Sequence, residues 1–129
     1  MPHLRLEYSP GLEALTDMSA LCAALHGAML KTGIFPLSGI RVRTHRCAEV
    51  FVADGHAANH FVAMELIVGT GRTRDVLERA GAQVFAAAKA ALAPLLAQPH
   101  LLPSLEIREM DANLVWRANS IRPRLGPDA

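Results

Sequence analysis

Residues 60–69 read HFVAMELIVG, and their reading decides the fold. Apolar side chains fill nearly every position, as in a strand covered on both faces rather than one. What flanks the strand sets its neighbours. GTGR at 69–72 is a turn, and residues 73–98 (TRDVLERAGAQVFAAAKAALAPLLAQ) form a helix, with Leu77, Ala80, Val84, Ala88, Ala91 and Leu95 on one stripe. Pro94 should kink or close its last turn. After PHLLP, SLEIREM at 104–110 reads as another strand.

The same unit occurs upstream. In PHLRLEYS (2–9), Leu4, Leu6 and Tyr8 alternate with His3, Arg5 and Glu7, a strand with two distinct faces. SPG breaks it. A helix follows over 12–31, with Leu15, Met18, Leu21, Cys22, Leu25 and Met29 at helical spacing, and Gly33 suits a left-handed cap. GIRVRTHRCAEVFVA (39–53) is the next strand, and ADGHAANH (53–60) is a loop with an Asp54-Gly55 turn signal.

The chain therefore reads as one α/β (α+β) domain over 1–129: a βαβ unit at about 2–52, a second at about 60–110, and a polar tail at about 111–129 with little reason to be ordered alone. Right-handed crossovers place both helices on one face of a small sheet. One helical layer leaves the other face needing cover, so the pattern predicts an oligomer in which sheets face one another.

Composition excludes several classes. With 13 Lys and Arg against 12 Asp and Glu, the chain has no broad footprint for nucleic acid or an anionic membrane. The apolar stretch 82–102 is interrupted by Lys89, Pro94, Gln98, Pro99 and His100, so it is a helix and its exit, not a membrane span. The N-terminus lacks a signal-peptide layout, and Cys22 and Cys47 form no CxxC pair; both point to a reduced, cytoplasmic protein. His56 and His60 are four apart but in a loop, where that spacing does not converge on a metal. GTGR lacks the Gly-Lys-Ser/Thr ending of a P-loop, and there is no GxSxG nucleophile elbow.

Three features remain. Arg41, Arg43 and His45 share one strand face. GTGR lets backbone approach an anion at Gly71 and adds Arg72, whose planar fork suits a carboxylate. Pro2 follows Met1 directly: it either opens an edge strand or, once Met1 is removed, becomes a secondary amine that no internal residue supplies.

With MPH, TGIFPLSGIRVRTH (32–45), ADG (53–55), FVAMELIVGTGR (61–72) and LEIREMDANLVWRAN (105–119), the chain resembles the 5-carboxymethyl-2-hydroxymuconate Δ-isomerases of the tautomerase superfamily. The resemblance implies a tautomerase fold, a homotrimer, no cofactor or metal, and an N-terminal proline as general base and acid. Carried over by motif, the catalytic residues are Pro2 and Arg41, and the substrate-binding residues are Arg72, Arg43 and Gly71. Arg41 is expected to stabilise the developing enolate and Arg72 to hold a carboxylate. Open alternatives are another proline-dependent tautomerase, hydratase or dehalogenase of unsaturated acids, and a non-catalytic oligomeric carboxylate-binding module.

Overall fold

The computed structural model describes residues 2–129; Met1, and with it the expected removal that would free the Pro2 amine, lies outside the described residues. The strands are β1 (His3–Tyr8), β2 (Arg41–Arg46), β3 (His60–Val68) and β4 (Leu101–Glu109). The helices are α1 (Met18–Lys31), α2 (Arg74–Ala91), and the short α3 (Ala93–Leu96) and α4 (Arg122–Leu125). The sheet order is β2-β1-β3-β4. β1 and β2 run parallel, as do β3 and β4, while β1 and β3 are antiparallel at the centre. Two βαβ units thus join along their first strands, which gives the expected mixed sheet.

Strand alternation builds the core. Leu4, Leu6 and Tyr8 of β1 and Val62, Met64, Leu66 and Val68 of β3 point to one face and are buried. There they meet Leu21, Leu25 and Met29 of α1 and Ala80, Val84 and Ala88 of α2. Each fully buried leucine contributes about 1.5–3 kcal/mol through removal of apolar area from water. Gly81 marks a close approach of α2 to the sheet, since a Cβ there would stand 2.9 Å from Ile107 Cδ1 of β4.

The opposite face is less apolar than the run HFVAMELIVG suggests. Phe61, Ala63, Glu65 and Ile67 are only half-buried on it. Glu65 lies between Arg5 at 3.4 Å and Arg108 at 3.5 Å, so the middle of this face is an ion-pair network.

Boundaries moved for identifiable reasons. The first helix starts at Met18, not residue 12, because the Asp17 side chain accepts the Ala20 N–H at 3.0 Å and caps it there. Residues 12–14 form a separate 3-10 turn, and Leu15 is exposed rather than on the core stripe. Ala91 is likewise exposed. β2 ends at Arg46 rather than continuing to 53, since its one neighbour, β1, ends at Tyr8. Cys47 N–H to Tyr8 O, 2.9 Å, is the last bond of that pair, and Phe51 beyond it is 85% exposed. β4 begins at Leu101, before the expected 104; as an edge strand it accommodates Pro103, which lies opposite Val62. Pro94 does close α2, sitting in the first turn of α3. The two cysteines are free thiols, and among the described residues no helix is long and apolar enough to cross a membrane.

Candidate active site

A cavity of about 400 Å³ opens at the end of the sheet where β1 begins, and Pro2 lines it. Pro2 is fully buried, and its carbonyl accepts the Arg41 N–H at 3.3 Å, extending the β1–β2 pairing by one step. One wall comes from the loop before β2, where Leu37–Gly39 form a 3-10 turn closed by Gly39 N–H to Pro36 O at 3.0 Å.

A second wall is the GTGR turn between β3 and α2, contributed by Gly69, Thr70 and Arg72. Gly71 has φ +104° with open space where a Cβ would be, so conformation and not crowding calls for glycine here. Thr73 then caps α2, its hydroxyl accepting the Val76 N–H at 3.4 Å. The Arg72 guanidinium donates to Ile34 O at 2.7 Å and to Gly69 O at 3.3 Å, and it lies 5.0 Å from the centre of the Phe35 ring. It therefore ties the β3–α2 turn to the loop leading into β2, while still presenting charge to the cavity.

The third wall was not anticipated. Residues 111–129 are folded over the opening, and Arg117, Asn119 and Arg122 line the cavity. Asp111 caps a 3-10 turn at Ala112–Leu114. Asn119 donates from Nδ2 to Ser38 O at 3.0 Å, and its Oδ1 accepts the Ile121 and Arg122 N–H groups at 3.0 and 3.2 Å, opening α4. The tail, expected to have little reason to be ordered alone, is held here by the loop before β2: one asparagine satisfies backbone groups on both the loop and the tail. The available signal was Arg117, Arg122 and Arg124 crowded into a short terminal stretch around an Asn-Ser pair.

Of the residues singled out from the sequence, Pro2 and Arg72 meet in this cavity, and Gly71 shapes its wall. Arg41 and Arg43 do not line it. The register pairs His3 with Arg41 and Arg5 with Arg43, so both arginines share the open face with His3, whereas Pro2 is one alternation away. Arg43 Nη1 donates to His3 Nδ1 at 3.0 Å, which requires that nitrogen to be unprotonated. Burial first, then the Arg41 and Arg43 charges, holds the His3 pKa below its ordinary 6.5.

His45, on the same strand face as Arg41 and Arg43, is exposed and does not line the cavity, whereas His56, His60 and His100 make local packing and hydrogen-bond contacts. His60 Nδ1 pairs with the buried Ser9 hydroxyl at 2.7 Å, and His56 stacks on His100 at 4.7 Å. Among the described residues no three His, Cys, Asp or Glu side chains cluster as a metal site would require.

Two βαβ units on a four-stranded mixed sheet, with a buried second-residue proline facing a cationic cavity, define the tautomerase class of fold. A fused 4-OT wild type symmetric trimer shares that fold, with a TM-score of 0.67 at 20% identity over 91% of this chain and 92% of the other. A sequence profile for 5-carboxymethyl-2-hydroxymuconate isomerase matches residues 2–125. The 5-carboxymethyl-2-hydroxymuconate Delta-isomerase of Escherichia coli is 34% identical over 121 residues, spanning 94% of this chain and 96% of that protein. A crystal structure of a 5-carboxymethyl-2-hydroxymuconate delta-isomerase superposes with a TM-score of 0.91 at 30% identity, covering 98% and 94% of the two chains. The chain belongs to the 5-carboxymethyl-2-hydroxymuconate isomerase family.

Proposed function

We propose that the protein converts 5-carboxymethyl-2-hydroxymuconate to its 2-oxo isomer by proton transfer through Pro2, as a step in aromatic-compound catabolism. The observation that carries the mechanism is the burial of Pro2 in a cavity whose charged side chains are all arginines. Family membership supports the substrate.

With Met1 removed, Pro2 holds a secondary amine where it otherwise holds an amide that takes no proton. An ordinary α-amino group titrates at about 7.7–8.0. Burial and the nearby guanidinium groups of Arg72, Arg117 and Arg122 both disfavour a charged amine, keeping a fraction of it free to act as base near neutrality. Pro2 takes the proton from the 2-hydroxyl. Electron density moves along the dienol, the C2–O bond becomes a carbonyl, and the double bond shifts to C3–C4. Pro2 then returns the proton to C5, so no atom is gained or lost. Pre-placed cations stabilise the dienolate between these steps.

The protein works as a homo-oligomer, a homotrimer in this reading. What supports it is the open sheet face, with half-buried Phe61 and Ile67 beside a charged network, and the symmetric trimer formed by the fused 4-OT protein. Arg41 stands on that face, one backbone bond from Pro2, and in this reading serves the site of a neighbouring copy.

The test is loss of the dienol ultraviolet band with mass-verified protein lacking Met1, alongside Pro2→Ala. Rapid loss with the native protein, slowed by about 10²–10⁴-fold in the variant, is expected of a general acid–base residue. No acceleration by the native protein refutes the isomerisation, and an undiminished rate in Pro2→Ala refutes the base.

A further inference from the structure

The cavity is more cationic than one proline and one arginine would make it. Arg72, Arg117 and Arg122 line it, and no acidic side chain does. Elsewhere, Arg5, Arg46, Arg74 and Arg108 each carry a glutamate partner. Arg117 and Arg122 are exposed at the cavity, and among the described residues their side chains have no acidic partner. Two guanidinium groups lining one cavity without an acidic partner gain most from a ligand that brings negative charge.

Asn119 keeps them there. Lying two residues after Arg117 and three before Arg122, it anchors the segment to Ser38 O at 3.0 Å and accepts the Arg122 N–H at 3.2 Å. Arg72 has two of its five N–H donors engaged by Ile34 O and Gly69 O, and the remaining three do not suffice for three carboxylates.

A substrate of the proposed reaction has three carboxylates: the two ends of the muconate chain and the carboxymethyl arm. We propose, resting on that reading, that Arg117 and Arg122 form the subsite for the third carboxylate and make the enzyme selective for tricarboxylates over dicarboxylates. Asn119 is a positioning residue that acts through them. The tail is thus a specificity element and not a passive terminus.

Binding separates this inference from the chemistry. Calorimetric titration at low ionic strength compares propane-1,2,3-tricarboxylate with pentanedioate, which lacks the third carboxylate. The native protein should favour the tricarboxylate by about tenfold or more, as expected of an added charge-assisted contact. Arg117→Gln/Arg122→Gln should reduce that preference at least about fivefold, while Arg117→Lys/Arg122→Lys retains most of it. Asn119→Ala should lower the preference in the native background and have no further effect in the double-glutamine variant, the non-additivity expected of a residue acting through others. Arg117 and Arg122 are exposed and Asn119 is half-buried, and circular dichroism verifies the fold of each variant.

A preference unchanged by the double-glutamine variant, or equal weakening of both ligands, overturns the assignment. Native protein that prefers the tricarboxylate but leaves 5-carboxymethyl-2-hydroxymuconate unreacted defeats the isomerisation and sustains the subsite. Native turnover without the preference does the reverse.

Discussion

Replacing Arg72 with alanine should cost the protein stability as well as activity, because its guanidinium is a structural tie. The short bond to Ile34 O, 2.7 Å, is charge-assisted, and such bonds are worth about 1.5–3 kcal/mol. The longer bond to Gly69 O at 3.3 Å adds less, and the approach to the Phe35 ring at 5.0 Å adds about 0.5–1 kcal/mol. Arg72 is only half-buried, so water replaces part of what is lost, and a net destabilisation of about 2 kcal/mol is expected. With an unfolding entropy of about 2.1 cal/mol/K per residue, that corresponds to a fall in Tm of roughly 7 °C. Melting should be followed by circular dichroism at fixed protein concentration, since assembly shifts apparent stability. Arg72→Lys keeps the charge but cannot span both carbonyls, and should fall between the two. A Tm within about 2 °C of the native value for Arg72→Ala would refute the tie, and the arginine would then serve the ligand alone.

Two further outcomes follow from the open sheet face. The His3 pKa is lowered by burial and by the Arg41 and Arg43 charges, so below its ordinary 6.5 the unfolded chain binds the proton more readily than the folded one. Stability is therefore full above 6.5 and is lost as pH falls toward the folded-state pKa. Urea unfolding at pH 7.5 and 5 should show His3→Gln losing less stability on acidification than the native protein, and an equal loss would remove His3 from the account. Light scattering should give a mass of about three chains; a monodisperse monomer would leave the half-buried Phe61 and Ile67 without the cover argued for them.

How much was legible varies with how local the signal is. Leu4, Leu6 and Tyr8 announce β1 by alternation alone, and Pro94 interrupts α2 because a proline there removes a helix donor. The residues 47–53 misled, since Val50, Phe51 and Val52 have strand character but no neighbouring strand to pair with. Pro103 misled in the opposite sense: whether a proline is tolerated depends on being at an edge, which is a property of the sheet. HFVAMELIVG suggested two covered faces, yet Glu65 in its middle was the sign of an ion-pair network on one of them.

The candidate site divides the same way. Pro2, Gly71 and Arg72 are candidates by residue type and spacing, so two βαβ units, a strand–turn–helix able to meet an anion, and a proline at the start of β1 were all legible locally. Which arginines share the cavity with Pro2 was decided only by tertiary structure. One step of strand register sends Arg41 and Arg43 to the other face, and a single side-chain bond from Asn119 to Ser38 O, 81 positions apart, brings Arg117 and Arg122 in. Periodicity reports which side of its own strand or helix a residue occupies. It carries no record of a contact between a polar tail and a distant backbone carbonyl, because that contact has no repeat.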